Sequence, residues 1–382
     1  MTIQSTALGN VTPQDSLKSP IPSMHWSRVP VRGTHIPPPL RAHTTTPLHS
    51  KLYVFGGCDA KSCFNQLWVF DTESLWWTRP VVRGGVPRTV RAHAACVISD
   101  RYIVYFGGGD GPVYYDGVYV LDTVDMVWYT PRVEGVPPSA RRAHTMWVWE
   151  GDVYVYAGGD GVRALNDVFV LRMGKNGFGD SKQGDSRGNG RTGGLNDVRP
   201  DARHGDTLED SFVVEWQVVE TRGPVPSHRG YHTSTRIGHT PHVLVYGGSD
   251  GHECFSDVSL LDMQTLTWKS ISLDRAFPRL SHTATQVGSY LFVLGGHDGT
   301  RYGNEALLLN LVTMNWETRS VCGSGPEGRG YHSACLVDSR VWVFGGYDGT
   351  RVYGDMWVLE LSASAYLPQI TAFEVGCGDD VL

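Results

Sequence analysis

The chain has 382 residues, with 46 glycines, 12 tryptophans, 17 tyrosines and only 19% charged residues. Its 41% hydrophobic content excludes a disordered chain, the lack of a three-residue glycine period excludes collagen, and glycine at this density excludes a helical bundle, since each costs a helix about 1 kcal/mol. The net charge of −6 leaves no basic excess for nucleic acid.

Residues 1–23 are polar and lack the apolar stretch of a signal peptide. No run reaches the roughly 18 apolar residues of a membrane span. The seven cysteines are scattered and odd in number, which reads as reduced thiols with packing roles in a cytoplasmic protein. Cys58 and Cys63 are close, but no second pair or nearby histidine completes a zinc site.

From residue 24 onward the chain repeats itself. An apolar strand runs into a glycine pair six times, at Gly56-Gly57, Gly107-Gly108, Gly158-Gly159, Gly247-Gly248, Gly295-Gly296 and Gly345-Gly346. The intervals between first glycines are 51, 51, 89, 48 and 50 residues. A histidine precedes each strand: His43, His93, His144, His232, His282 and His332. Arg41, Arg91, Arg142, Arg229, Arg279 and Arg329 stand two or three residues before them. After each glycine pair come a short loop and a further apolar strand ending near an Asp. A tryptophan follows six residues on, as from Asp71 to Trp77, Asp122 to Trp128 and Asp262 to Trp268.

Each repeat therefore predicts four short strands, in apolar runs bounded by turn residues. The long interval is the exception. Residues 174–210 are nearly devoid of apolar side chains and cannot offset the entropy of ordering, so a disordered insertion in the third repeat is expected. The sixth repeat ends at Leu361 without a tryptophan strand, while Trp26 begins the chain with an unattached one. The N-terminal strand around Trp26 is expected to complete the last repeat and close a ring. Residues 362–382 read as an irregular tail.

The pattern of Arg-x-x-His, apolar strand, Gly-Gly, Asp-Gly, strand and Trp resembles the kelch repeat, over about residues 24–361. The resemblance implies an all-β, six-bladed kelch-type β-propeller with four antiparallel strands per blade. It also implies a non-catalytic platform that docks a protein partner, as in cell-polarity, cytoskeletal, Ras-regulatory or ubiquitin-ligase assemblies. The flanks are too short for the BTB or F-box modules that accompany adaptors of the last kinds.

In peptide-binding kelch domains the docking face lies where the chain enters the inner strands, beside the loops after Gly-Gly. Carried onto this sequence, that face takes Arg41, Arg91, Arg142, Arg229, Arg279 and Arg329, whose forks suit the carboxylates of an acidic peptide. The loops add Tyr115, Arg163, His297, Arg301, Tyr302, Tyr347 and Arg351, of the types that dominate interfaces. The alternative role for the arginines is bonding to their own blades. Asp110, Asp160, Asp250, Asp298 and Asp348 read as turn residues.

No metal or cofactor is expected. Six equivalent histidines on six blades cannot converge on one ion, and bonding within each blade is their expected role. Kelch-type specifier enzymes carry an iron motif Glu-x-x-x-Asp-x-x-x-His. Glu253 and Asp257 keep its spacing, but Leu261 fills the third place. A metal- or small-molecule-dependent enzyme using the axial pocket is the alternative to the docking platform.

Overall fold

A computed structural model describes residues 23–173, 212–361, 373, 375 and 376. The expected disorder of 174–210 and the readings of residues 1–22 and most of 362–382 lie outside the described residues. The described chain is all β, in six small sheets plus a hairpin of Gly109–Asp110 with Val113–Tyr114. Blade 1 runs outward as Thr44–Leu48, Lys51–Phe55, Leu67–Asp71 and Trp76–Thr78. Blades 2 to 6 start at Ala94–Ile98, Thr145–Trp149, Thr233–Arg236, Thr283–Val287 and Ser333–Val337. These inner strands touch one another in a closed circle.

Local chemistry explains the six-residue spacing from Asp to Trp. The Asp71 carboxylate accepts the amides of Glu73 and Ser74 at 3.0 and 2.9 Å, which bends the chain after the third strand. Leu75, at φ 56°, completes the turn, and Trp77 then enters the outer strand. Asp122, Asp262 and Asn310 repeat the device. The buried tryptophans join blades. Trp77, Trp128, Trp216, Trp268 and Trp316 pack against Phe344, Phe55, Phe106, Tyr156 and Tyr246 of the preceding blade, with centroids 4.9–5.6 Å apart.

Closure follows the expected route. Met24–Arg28 pairs antiparallel with Met356–Glu360, Trp26 opposite Leu359. Trp26 is buried with Leu294 of blade 5. Arg32–Gly33, a few residues on, pairs with Trp76–Trp77 of blade 1, so one short segment fastens both sides of the seam.

The third repeat departs from its apparent register. Ala157 and Gly158 have φ of 59° and 93°, matching Gly56 and Gly57 at 65° and 86°. The pair is thus Ala157-Gly158, and Gly159 follows it at the end of the strand, paired with Ala164. The second position needs glycine in every blade: a Cβ on Gly57 would lie 2.7 Å from the Cβ of His43.

Two rings of backbone hydrogen bonds run from blade to blade. The residue just before each histidine donates to its counterpart in the preceding blade: Ala92 to Ala42, Ala143 to Ala92, Tyr231 to Ala143, Ser281 to Tyr231, Tyr331 to Ser281 and Ala42 to Tyr331, at 2.8–3.0 Å. None of the six is glycine, yet all have φ between 53° and 61°. The second glycine of each pair donates to the residue three before the next blade's histidine, from Gly57 to Val90 round to Gly346 to Leu40.

The histidines also work between blades rather than within them. His93, His232, His282, His332 and His43 bond the hydroxyls of Thr44, Thr145, Thr233, Thr283 and Ser333 at 2.9–3.1 Å. In blade 2 the hydroxyl position is Ala94, and Nε2 of His144 is buried without a partner. Burial lowers His43, His93, His144, His282 and His332 to about 3, and lowers His232 as well.

An imidazole with a folded pKa near 3 and an unfolded value of 6.5 binds its proton only in the unfolded chain between those limits. Stability is therefore full above pH 6.5 and falls toward pH 3, by on the order of 1 kcal/mol per histidine for each pH unit. Melting temperature measured from pH 7.5 down should drop below about pH 6.5, with proton uptake on unfolding. Ala94→Thr should supply the missing hydroxyl to His144 and raise stability by about 1 kcal/mol in denaturant titration.

Candidate functional site

The six arginines fall into two classes, separated by one residue of spacing. Arg229, Arg279 and Arg329 stand three before the histidine, and Arg141 joins them in blade 3. All four are buried. Each guanidinium turns into its own blade and meets an acid at the end of the loop: Arg141 with Asp167 at 2.6 Å, Arg229 with Asp257 at 2.8 Å, Arg279 with Glu305 at 3.4 Å and Arg329 with Asp355 at 2.6 Å. Arg141, Arg229 and Arg329 also donate to the carbonyls of Ala157, Gly247 and Gly345. The structure thus places Arg229, Arg279 and Arg329 inside the blades, away from the face expected of them. Asp257, one of the two iron-motif residues, is engaged by Arg229.

Arg41, Arg91 and Arg142 stand two before the histidine and turn toward the mouth of the ring, Arg41 and Arg91 half-buried and Arg142 buried. Arg41 stacks over Tyr347 at 4.3 Å and Arg142 over Tyr114 at 4.0 Å. Arg142 also donates to the carbonyls of Gly111 and Val113 at 2.6 and 2.7 Å. Arg91 approaches the Cys58 sulfur at 3.8 Å. The Nε atoms of Arg41 and Arg142 have no protein acceptor. Blades 4 to 6 have Gly230, Leu280 and Gly330 at this position. Their contribution comes one residue later: Tyr231 and Tyr331 meet edge-on at 5.8 Å, where blades 1 to 3 have only alanine. The mouth is cationic on one side and aromatic on the other.

The loops extend both halves. His297 packs on Tyr302 at 4.7 Å, and Tyr302 on Tyr347 at 6.0 Å. Burial pushes the Tyr302 phenol up to about 12, so it stays a neutral hydrogen-bonding group. Arg301 is exposed and pairs with Glu305 at 2.6 Å. Arg351 is exposed near Tyr353. Arg163 is exposed beside Asp160 and lines a groove of about 280 Å³ with Tyr114, Arg142, Tyr231 and Asp250. Tyr115 lies apart from the mouth, in a cavity between blades 1 and 2.

Asp160, Asp250, Asp298 and Asp348 accept amides two and three residues on, as turn residues do. Asp110 instead accepts from the Thr89 hydroxyl at 2.7 Å. Among the described residues no group of three His, Cys, Asp or Glu could hold a metal ion. Tyr231, Tyr331 and Arg141 escaped the sequence reading. The separation of Arg-x-His from Arg-x-x-His spacing is the signal that would have found Arg141.

Six four-stranded blades around a loop-lined mouth define a β-propeller of the kelch type. Residues 10–193 and 190–372 match the family described as the KLHDC2/KLHL20/DRC7 Kelch-repeats domain, and the chain belongs to it. It is 24% identical to Host cell factor 2 of Homo sapiens over 71% of its length and 32% of that protein's. It is 26% identical to Host cell factor 1 of Rattus norvegicus over 70% of its length and 12% of that protein's. With Acyl-CoA-binding domain-containing protein 4 of Arabidopsis thaliana it shares 30% over 42% of the chain and 25% of that protein. The chain thus spans a third or less of these relatives. No helix among the described residues is long and apolar enough to cross a membrane.

The two arginine classes should separate in denaturant titration. Arg229→Ala strips a buried partner from Asp257, itself 44% exposed, and should cost about 2–3 kcal/mol. Arg91→Ala, at the mouth, should stay within about 1 kcal/mol of wild type.

Proposed function

We propose that this propeller is a non-catalytic scaffold that docks an acidic segment of a protein partner on its loop face. The observation that carries this is the divided mouth. Arg41 and Arg91 offer guanidinium groups on one side, beside the buried Arg142, and Tyr231, Tyr331, Tyr302 and Tyr347 offer rings on the other. Guanidinium forks recognise carboxylates in two-pronged fashion, and tyrosines supply rigid amphipathic area at low entropic cost. Family membership supports a protein-interaction role in general. Among the settings the resemblance suggests are polarity, cytoskeletal, Ras and ubiquitin assemblies. The six described cysteines, all unbridged, suit the cytoplasm.

A displayed peptide library selected against the wild-type protein should enrich acidic sequences, and binding should weaken as salt rises through the physiological range. The triple variant Arg41→Ala, Arg91→Ala, Tyr231→Ala should keep its melting temperature and lose that enrichment. Undiminished enrichment in the folded variant would place the docking face elsewhere.

A further inference from the structure

Blade 2 lacks the arginine–acid pin found in blades 3 to 6. Val90 and Gly117 occupy the positions of Arg229 and Asp257. Two small residues stand where an ion pair fits, and the space is open: a cavity of about 220 Å³ lined by Phe55, Val90, Tyr105, Tyr115 and Gly117. Blade 1 has lost its pin too, with Leu40 and Gln66, but Leu40 fills the gap with a fully buried side chain.

The sister blades show what this space accepts. In them a guanidinium meets up to three groups, all three in blades 4 and 6. It donates to the carbonyl at the first position of the glycine pair, at 3.0 Å for Ala157 and Gly247 and 3.1 Å for Gly345. It stacks on the loop aromatic, Arg229 on Phe255 at 4.6 Å and Arg329 on Tyr353 at 3.8 Å. It pairs with the acid. In blade 2 the first group is Gly107 and the second is Tyr115, both in the cavity wall. The acid is displaced by one residue to Asp116, also in the wall. Tyr105 adds a ring where the other blades have Val54, Val155, Val245, Val293 and Val343. Aromatic walls with a carboxylate at one side favour a planar cation. Arg88 also lines the cavity and is the charge that opposes a cationic guest.

We propose that the blade 2 cavity binds a guanidinium group brought from outside the repeat, in the place where four other blades supply their own. The guest is either a free alkylguanidine or an arginine side chain of a partner. Two probes distinguish these sources: agmatine, and the blocked peptide acetyl-Gly-Arg-Gly-amide, each titrated by calorimetry into the full chain. Saturation by agmatine alone identifies a small-molecule site, and saturation by the peptide alone or by both identifies a side-chain socket. The double variant Val90→Arg, Gly117→Asp rebuilds the pin and should weaken binding by at least about tenfold with no fall in melting temperature. Should that variant not fold, Tyr115→Leu, which copies Leu165 of blade 3, should weaken binding by about threefold or more. Arg88→Ala should tighten it. If neither probe saturates the wild type, or if the folded variants bind as well as it does, the proposal fails. The measurement needs no partner, so its outcome is separate from that of the docking face.

Discussion

A closed circle of six backbone hydrogen bonds around the axis holds this molecule to its architecture. Each bond joins the residue before one blade's histidine to its counterpart in the neighbouring blade. All six residues adopt left-handed backbone angles without being glycine, a conformation that costs roughly 1 kcal/mol or more. In an open sheet that strain would have little to offset it. Here each strained residue gives an amide to one neighbour and a carbonyl to the other, and no residue is left at an end. The circle fixes the distance of the inner strands from the axis. The histidine that follows is thereby aimed at a hydroxyl of the adjacent blade, and the residue before it is aimed at the mouth. Glycine pairs, tryptophans and histidines all act across the same six seams.

Most of this frame was legible because each element of the repeat answers a local stereochemical demand. Gly57 and its equivalents face the next layer at a distance no Cβ tolerates, so the glycine persists and counts the blades. Asp71 and its equivalents cap a turn of fixed length, so the tryptophan keeps its spacing. The third blade misled by one residue because alanine takes the left-handed angle at the first position of the pair there, where the other five blades keep glycine. The histidines stand just before the inner strands, as the repeat placed them, but their hydrogen-bond partners lie in the neighbouring blade rather than their own. Most of their hydroxyls lie about fifty residues or more away in sequence, and only the packing of neighbouring blades brings them together.

The candidate site was harder to read, for a physical reason. An arginine two residues before the histidine and one three before it look alike in a repeat pattern, yet adjacent residues of the connection ahead of the inner strand send their side chains to different places. Arg41, Arg91 and Arg142 go to the mouth, while Arg229, Arg279 and Arg329 go into the blades. The frame has near sixfold symmetry, but the mouth does not. Beside the histidines, its arginines belong to the first three blades and its tyrosines to the fourth and sixth, so a ligand lying across it would have one orientation. That polarity comes from substitutions within the repeat, and a pattern built from what the copies share cannot display it.

The seam strand has a consequence for the making of the chain. Met24–Arg28 is translated before every other strand of the ring, and its partner Met356–Glu360 after all of them. At about 5–20 residues per second, the strand waits on the order of tens of seconds before a partner exists. Throughout that interval five blades can assemble side by side, but the circle of hydrogen bonds has a gap and the left-handed residues at its two edges are unsupported. The cooperativity of the ring therefore belongs to the closed circle, and it arrives with the last of the ring's own strands.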